Sequence, residues 1–66
     1  MEKLETFTEV LLSLKDKEVL TTNKKDRYIL KKDKIYVYRE GTSFVLTLED
    51  FRDLYQEKTF FVFKEE

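Results

Sequence analysis

Residues Arg27–Leu48 read RYILKKDKIYVYREGTSFVLTL. This stretch alternates as β-strand does and contains two short polar breaks, at Lys32-Asp33 and Glu40-Gly41. Taking Lys32-Asp33 as a two-residue turn sets Lys31 against Lys34, Leu30 against Ile35, Ile29 against Tyr36 and Tyr28 against Val37. Taking Glu40-Gly41 as the second turn sets Val37 against Phe44 and Ile35 against Leu46. Gly41 supplies the positive φ such a turn needs. Directly opposed residues share a sheet face, so the two registers can be checked against each other. They agree. One face collects Tyr28, Leu30, Ile35, Val37, Phe44 and Leu46. The other collects Arg27, Ile29, Lys31, Lys34, Tyr36, Tyr38, Ser43, Val45 and Thr47. A three-residue turn would set Phe44 against Tyr36 and break the apolar set, because a one-residue slip inverts a strand's faces.

Outward from this meander, Leu4, Phe7, Val10, Leu11 and Leu14 recur at helical spacing and predict an amphipathic helix of roughly three to four turns. Its start has two readings. Thr6 with Glu9 has capping-box spacing, which leaves Leu4 outside the helix. Val19-Leu20-Thr21-Thr22 is a short β-prone piece with no pattern that assigns it to the sheet or excludes it. Asn23-Lys24-Lys25-Asp26 reads as a turn or loop. After the meander, Thr47 or a neighbour caps a second helix; Thr47 and Asp50 have capping-box spacing, and Glu49, Asp50 and Asp53 lie in its first turns, near its positive end. Leu48, Phe51, Leu54 and Tyr55 form its expected buried stripe. Thr59-Phe60-Phe61-Val62-Phe63 predicts a strand apolar on both faces, hence interior or covered, and Lys64-Glu65-Glu66 a solvated tail. The predicted fold is α+β, in the order α-(β)-β-β-β-α-β: a small antiparallel sheet of a three-stranded meander plus a C-terminal strand, with both helices on its apolar face. The position of the last strand is open.

Sixty-six residues make a single domain, 1–66. A chain this short buries only about 60% of the surface its unfolded form exposes. With no Cys and no His, disulfides and ordinary zinc sites are excluded. Six Phe, four Tyr and nine Leu supply a core dense in large side chains. Charged residues are 41% of the chain, but 15% aromatics separate it from disordered sequences. No apolar run approaches the ~20 residues of a membrane span. The opening MEKLETFTE is acidic and interrupted, unlike a signal peptide, so the expectation is a cytoplasmic protein with no membrane partner.

The catalytic repertoire is narrow. Ser13 and Ser43 have no evident activating base, and Gly41 alone cannot build a phosphate loop. The sequence therefore predicts a non-enzymatic protein with no cofactor and no metal. Asp50, Asp53 and Glu57 share one stripe of the second helix. That spacing admits an acidic patch or a hard-cation site, but hard cations normally need more converging oxygens. A solvated, dipole-compensating face is the ordinary reading.

Residues 24–39 carry seven basic side chains against Asp26 and Asp33, a balance of +5 in a chain whose net charge is −1. Lysines interleaved with Tyr36 and Tyr38 on one sheet face suit single-stranded nucleic acid, through backbone attraction and base stacking. The plain alternative is lysine guarding exposed strands beside strand-favouring tyrosine, and an acidic pI near 5.5 opposes nucleic acid. Two helices of this size cannot cover both sides of the sheet. The second side is solvated, dimerised or docked. Tyr36, Tyr38, Ile29 and Val45 with Lys31, Lys34 and Arg39 as a polar rim have the make-up of a protein-docking face.

The stretch KKDKIYVYREGTSFVLTLEDFRDLY with its terminal FFVF resembles in layout small accessory proteins of phages and mobile elements of AT-rich Gram-positive bacteria. The absence of Ala, Pro and Trp fits AT-rich coding. The resemblance covers about half the chain and carries over no catalytic or binding residue. It implies a protein that binds and blocks a host protein, defence nucleases included. Three expectations follow: a protein-docking inhibitor or regulator, a nucleic-acid-binding accessory protein, or a structural homodimer.

Overall fold

The structure, a computed structural model, describes residues 2–64. Glu65 and Glu66, assigned above to a tail, lie outside the described residues. The chain runs β1 (Lys3–Leu4), α1 (Phe7–Lys15), β2 (Leu20–Thr21), β3 (Arg27–Lys31), β4 (Lys34–Arg39), β5 (Thr42–Thr47), α2 (Leu48–Tyr55) and β6 (Phe60–Val62). The fold is α+β. All six strands join one antiparallel sheet in the order β1-β6-β2-β3-β4-β5. The expected four strands undercount it by the two-residue strands β1 and β2, which are too short to show a period.

The meander has the register derived from its turns. Tyr28 pairs with Val37, Leu30 with Ile35 and Lys31 with Lys34. Ile35 pairs with Leu46 and Val37 with Phe44. Lys32 and Asp33 both adopt positive φ, 51° and 65°, as a tight hairpin requires, and Gly41 sits at 79°.

The first helix is shorter than its apolar spacing predicts. It spans nine residues, about two and a half turns at 3.6 residues each. Thr6 is the N-cap: its hydroxyl oxygen accepts a hydrogen bond from the Glu9 backbone N–H at 3.1 Å. Leu4 is therefore outside the helix. It pairs with Phe60 as Lys3 pairs with Phe61, and β6 gains a neighbour on each side. Interior placement of β6 matches its apolar character on both faces. At the second helix Thr47 Oγ1 accepts from the Asp50 N–H at 3.0 Å, the predicted cap.

Both helices lie on one side of the sheet, α1 over β1 to β3 and α2 over β4 and β5. Between them sit Val10 and Leu14 from α1, Phe51 and Tyr55 from α2, and Leu20, Tyr28, Ile35, Val37, Phe60 and Val62 from the sheet. Five rings pack at the centre. Phe51 lies 5.6 Å from Phe7 and 5.5 Å from Phe60 between centroids, and Tyr28 lies 5.1 Å from Phe60, edge to face. Leu54 is not part of this core. It is 62% exposed, because the buried stripe runs Leu48–Phe51–Tyr55 and Leu54 lies about 100° round the helix from Tyr55, away from Leu48.

Candidate functional site

Strand alternation puts every second residue on the side away from the helices. There the pairing lines up a row across the sheet. Val45 stands opposite Tyr36, and Tyr36 opposite Ile29. One step from the Leu20–Tyr28 pair, Val19 follows Ile29 in the row. Phe63 ends it: its N–H donates to the Val19 carbonyl at 2.7 Å. Phe63, Val19, Ile29, Tyr36 and Val45 thus form one apolar band across β3, β4 and β5 and the residues flanking β2 and β6. Among the described residues no element lies over it. Val45 is 47% exposed and the other four are half-buried.

The band has polar borders. On one side Lys31 pairs with Lys34 and Lys34 with Thr47, all exposed. On the other, Tyr38 stands between Arg27 and Ser43, 45% exposed. The Arg27 guanidinium lies 4.1 Å over the Phe63 ring, an arrangement that keeps a cation on an aromatic surface. The structure therefore brings together Ile29, Tyr36, Tyr38, Val45, Lys31 and Lys34, as the sequence predicts.

Arg39 is not with them. It follows Tyr38 by one residue and so turns to the helix side. There it donates to the Tyr55 hydroxyl at 3.0 Å and the Tyr28 hydroxyl at 3.3 Å, and lies 5.4 Å over the Phe44 ring. The shared parity of Arg39 with Ile35 and Val37 is the sequence signal that places it. Its charge stays exposed because the strand ends there, beyond the core.

The acidic stripe also dissolves. Asp50 and Asp53 are exposed on α2, but the helix ends at Tyr55 with Gln56 as its C-cap. Glu57 falls in the following turn. No group of three or more metal-ligating side chains exists among the described residues.

The basic segment is divided by the meander. Lys31, Lys32 and Lys34 lie at its Lys32-Asp33 end, and Lys24 and Lys25 in the loop before β3, at the other. The +5 balance is not one continuous track for a nucleic-acid backbone.

A polar cluster at the end of the core escaped the sequence reading. Asp26 is buried, 4% exposed. Its carboxylate accepts from the Thr21 hydroxyl at 2.8 Å, the Thr22 hydroxyl at 2.6 Å and the Thr22 N–H at 2.9 Å. Burial pushes its pKa up, but these hydrogen bonds from Thr22 and Thr21 outweigh it and hold the carboxyl below its ordinary value. Burial also pushes the Tyr28 hydroxyl up to about 12, against the hydrogen bond from Arg39. Tyr28 thus stands between the Asp26 carboxylate and the Arg39 guanidinium. These groups border an open cleft of about 650 Å³ together with Thr22, Tyr55 and Lys58. They satisfy one another: no buried side-chain N or O among the described residues lacks a partner. The cluster is a polar lid on the aromatic core.

No described helix is long and apolar enough to cross a membrane. Comparison with protein-family models, curated proteins and solved structures found no match to this chain.

Proposed function

We propose that this chain is a non-enzymatic binding module that docks its open sheet face on a protein and acts by occupying that surface, as an inhibitor or regulator. The observation that carries this reading is the uncovered band Phe63–Val19–Ile29–Tyr36–Val45 with Tyr38 beside it and Lys31 and Lys34 at its border. An apolar, aromatic centre inside a polar rim is the anatomy of a docking surface. A standard interface covers about 800 Å² per partner, about a sixth of this molecule's 4991 Å². That is the share of one broad face. The basic border selects a partner whose apolar patch is edged by carboxylates. Such blocking of a host protein is what the resemblance to phage and mobile-element accessory proteins implies.

The test is affinity isolation from the native host with the intact chain, followed by titration of the recovered protein. Tyr36→Ala with Tyr38→Ala weakens binding at least tenfold, about 1.4 kcal/mol, while Leu54→Ala on the far side leaves it unchanged. A parallel titration with single- and double-stranded oligonucleotides at low salt tests the competing reading. Tight binding there that collapses with added salt and needs Lys31 and Lys34 would replace the protein-docking proposal.

A further inference from the structure

The two edges of the sheet are built differently. β1 is two residues long and includes Lys3, and both shortness and lysine are devices that keep an edge from pairing with another chain. β5 has neither. Its six residues, TSFVLT, include no charge and no proline. It pairs with β4 without interruption from Lys34–Thr47 to Arg39–Thr42, so no bulge twists it away. Nor is it covered. Val45 is exposed, and Phe44 and Leu46, although on the helix side, are only half-buried.

The hairpin fixes which backbone groups this edge offers. In a two-residue hairpin the pair flanking the turn is hydrogen-bonded, and bonded and unbonded pairs alternate from there. Arg39 and Thr42 flank the Glu40-Gly41 turn, so Thr42, Phe44 and Leu46 direct their N–H and C=O groups to β4. The same rule applied to Lys31 and Lys34 assigns Lys34, Tyr36 and Tyr38 to β3, so β4 is used consistently on both sides. Ser43 and Val45 are left with N–H and C=O groups aimed away from the sheet.

We propose that β5 pairs antiparallel with β5 of a second copy, joining two six-stranded sheets into one of twelve strands. A two-fold through Phe44 sets Ser43 opposite Val45 of the partner subunit and Val45 opposite Ser43 of the partner subunit. Each of these is a bonded pair, so the outward groups of both residues are satisfied on both copies. Phe44 meets Phe44 of the partner subunit in the close, unbonded position between them. A second copy is the occupant because the segment is self-complementary: an uncharged strand sets no like charges against each other, in a chain where 41% of residues are charged. Pairing also removes from water the half-exposed apolar residues on both faces of β5. The two open faces then lie side by side on one surface.

The experiment is sedimentation equilibrium of the intact chain from low micromolar to millimolar concentration. The expected result is a mass rising toward twice the monomer. Val45→Pro deletes an outward N–H that β4 does not use, so circular dichroism remains folded and the mass stays that of a monomer. Val45→Lys keeps the N–H and puts a charge beside the new junction, and it too is monomeric. Tyr36→Ala with Tyr38→Ala, which strips the open face, still dimerises. A wild-type monomer throughout the range overturns the proposal. So does a dimer that persists in folded Val45→Pro, or one lost with the two tyrosines.

Discussion

Replacing Phe51 with alanine removes the ring that packs against Phe7, Tyr28, Tyr55 and Phe60 at centroid distances of 5.6, 6.0, 5.5 and 5.5 Å. Phe51 is fully buried. A Phe→Ala change in such a site costs about 3–5 kcal/mol, transfer and cavity together. Sixty-six residues at about 0.05–0.15 kcal/mol each give a total stability of about 3–10 kcal/mol. The substitution thus removes between a third and all of it. Three positions along the same helix, Leu54→Ala removes a side chain that is already 62% exposed, and such a surface change stays within about 0.5 kcal/mol. Urea unfolding followed by far-ultraviolet circular dichroism measures both. The expected outcome is a Phe51→Ala unfolding curve shifted by about 3–5 kcal/mol, unfolded without denaturant where the wild type lies at the low end of its stability range, and Leu54→Ala superimposable on the wild type. Comparable losses at the two positions, or a loss at Phe51 below about 1 kcal/mol, a value far under the range for a buried ring, would refute the orientation assigned to α2 and the aromatic core built on it.

Three further outcomes follow from the same geometry. Asp26 has a lowered pKa in the fold, so it contributes stability that is present above the unfolded value near 3.9 and is lost as pH falls through the lowered one; Asp26→Asn removes that acid limb from a stability-versus-pH curve. Tyr28 has a raised pKa, so its contribution is complete below its unfolded value near 10 and disappears as pH rises toward about 12; an ultraviolet absorbance titration finds a late ionisation step that Tyr28→Phe loses. On the open face, Tyr36→Ala with Tyr38→Ala lowers stability only modestly, since cross-strand pairs contribute about 0.2–1 kcal/mol each; thermal melts check this, and outright unfolding would make these rings core.

The meander was legible because two short turns fix its register twice over, and only one combination keeps Tyr28, Leu30, Ile35, Val37, Phe44 and Leu46 together. The open-face residues followed from the same parity. Leu4 was ambiguous for a physical reason: three residues before Phe7 is both a helical spacing and a position a short strand can occupy. What decides it is the pairing of Lys3 and Leu4 with Phe61 and Phe60, a contact across most of the chain that leaves no local pattern. The place of β6 between β1 and β2 was hidden for the same reason. Leu54 failed because an apolar residue at the margin of a helical stripe matches the period whether or not the sheet reaches it. Arg39 failed because its type suggested a rim while its parity pointed to the core side. Asp26 looked like an ordinary turn residue; only folding brings Thr21 and Thr22 around its carboxylate.

The central claim is that the open sheet face meets a protein partner, and site-specific photocrosslinking in the native host tests it most directly. A photoreactive phenylalanine analogue replaces Tyr36, Tyr38 or Leu54, one at a time, in the intact chain. The expected result is one discrete protein adduct shared by positions 36 and 38 and none at position 54, on the far side of the molecule. An adduct at position 54 with none at 36 and 38, or crosslinks at 36 and 38 to nucleic acid alone, would contradict it.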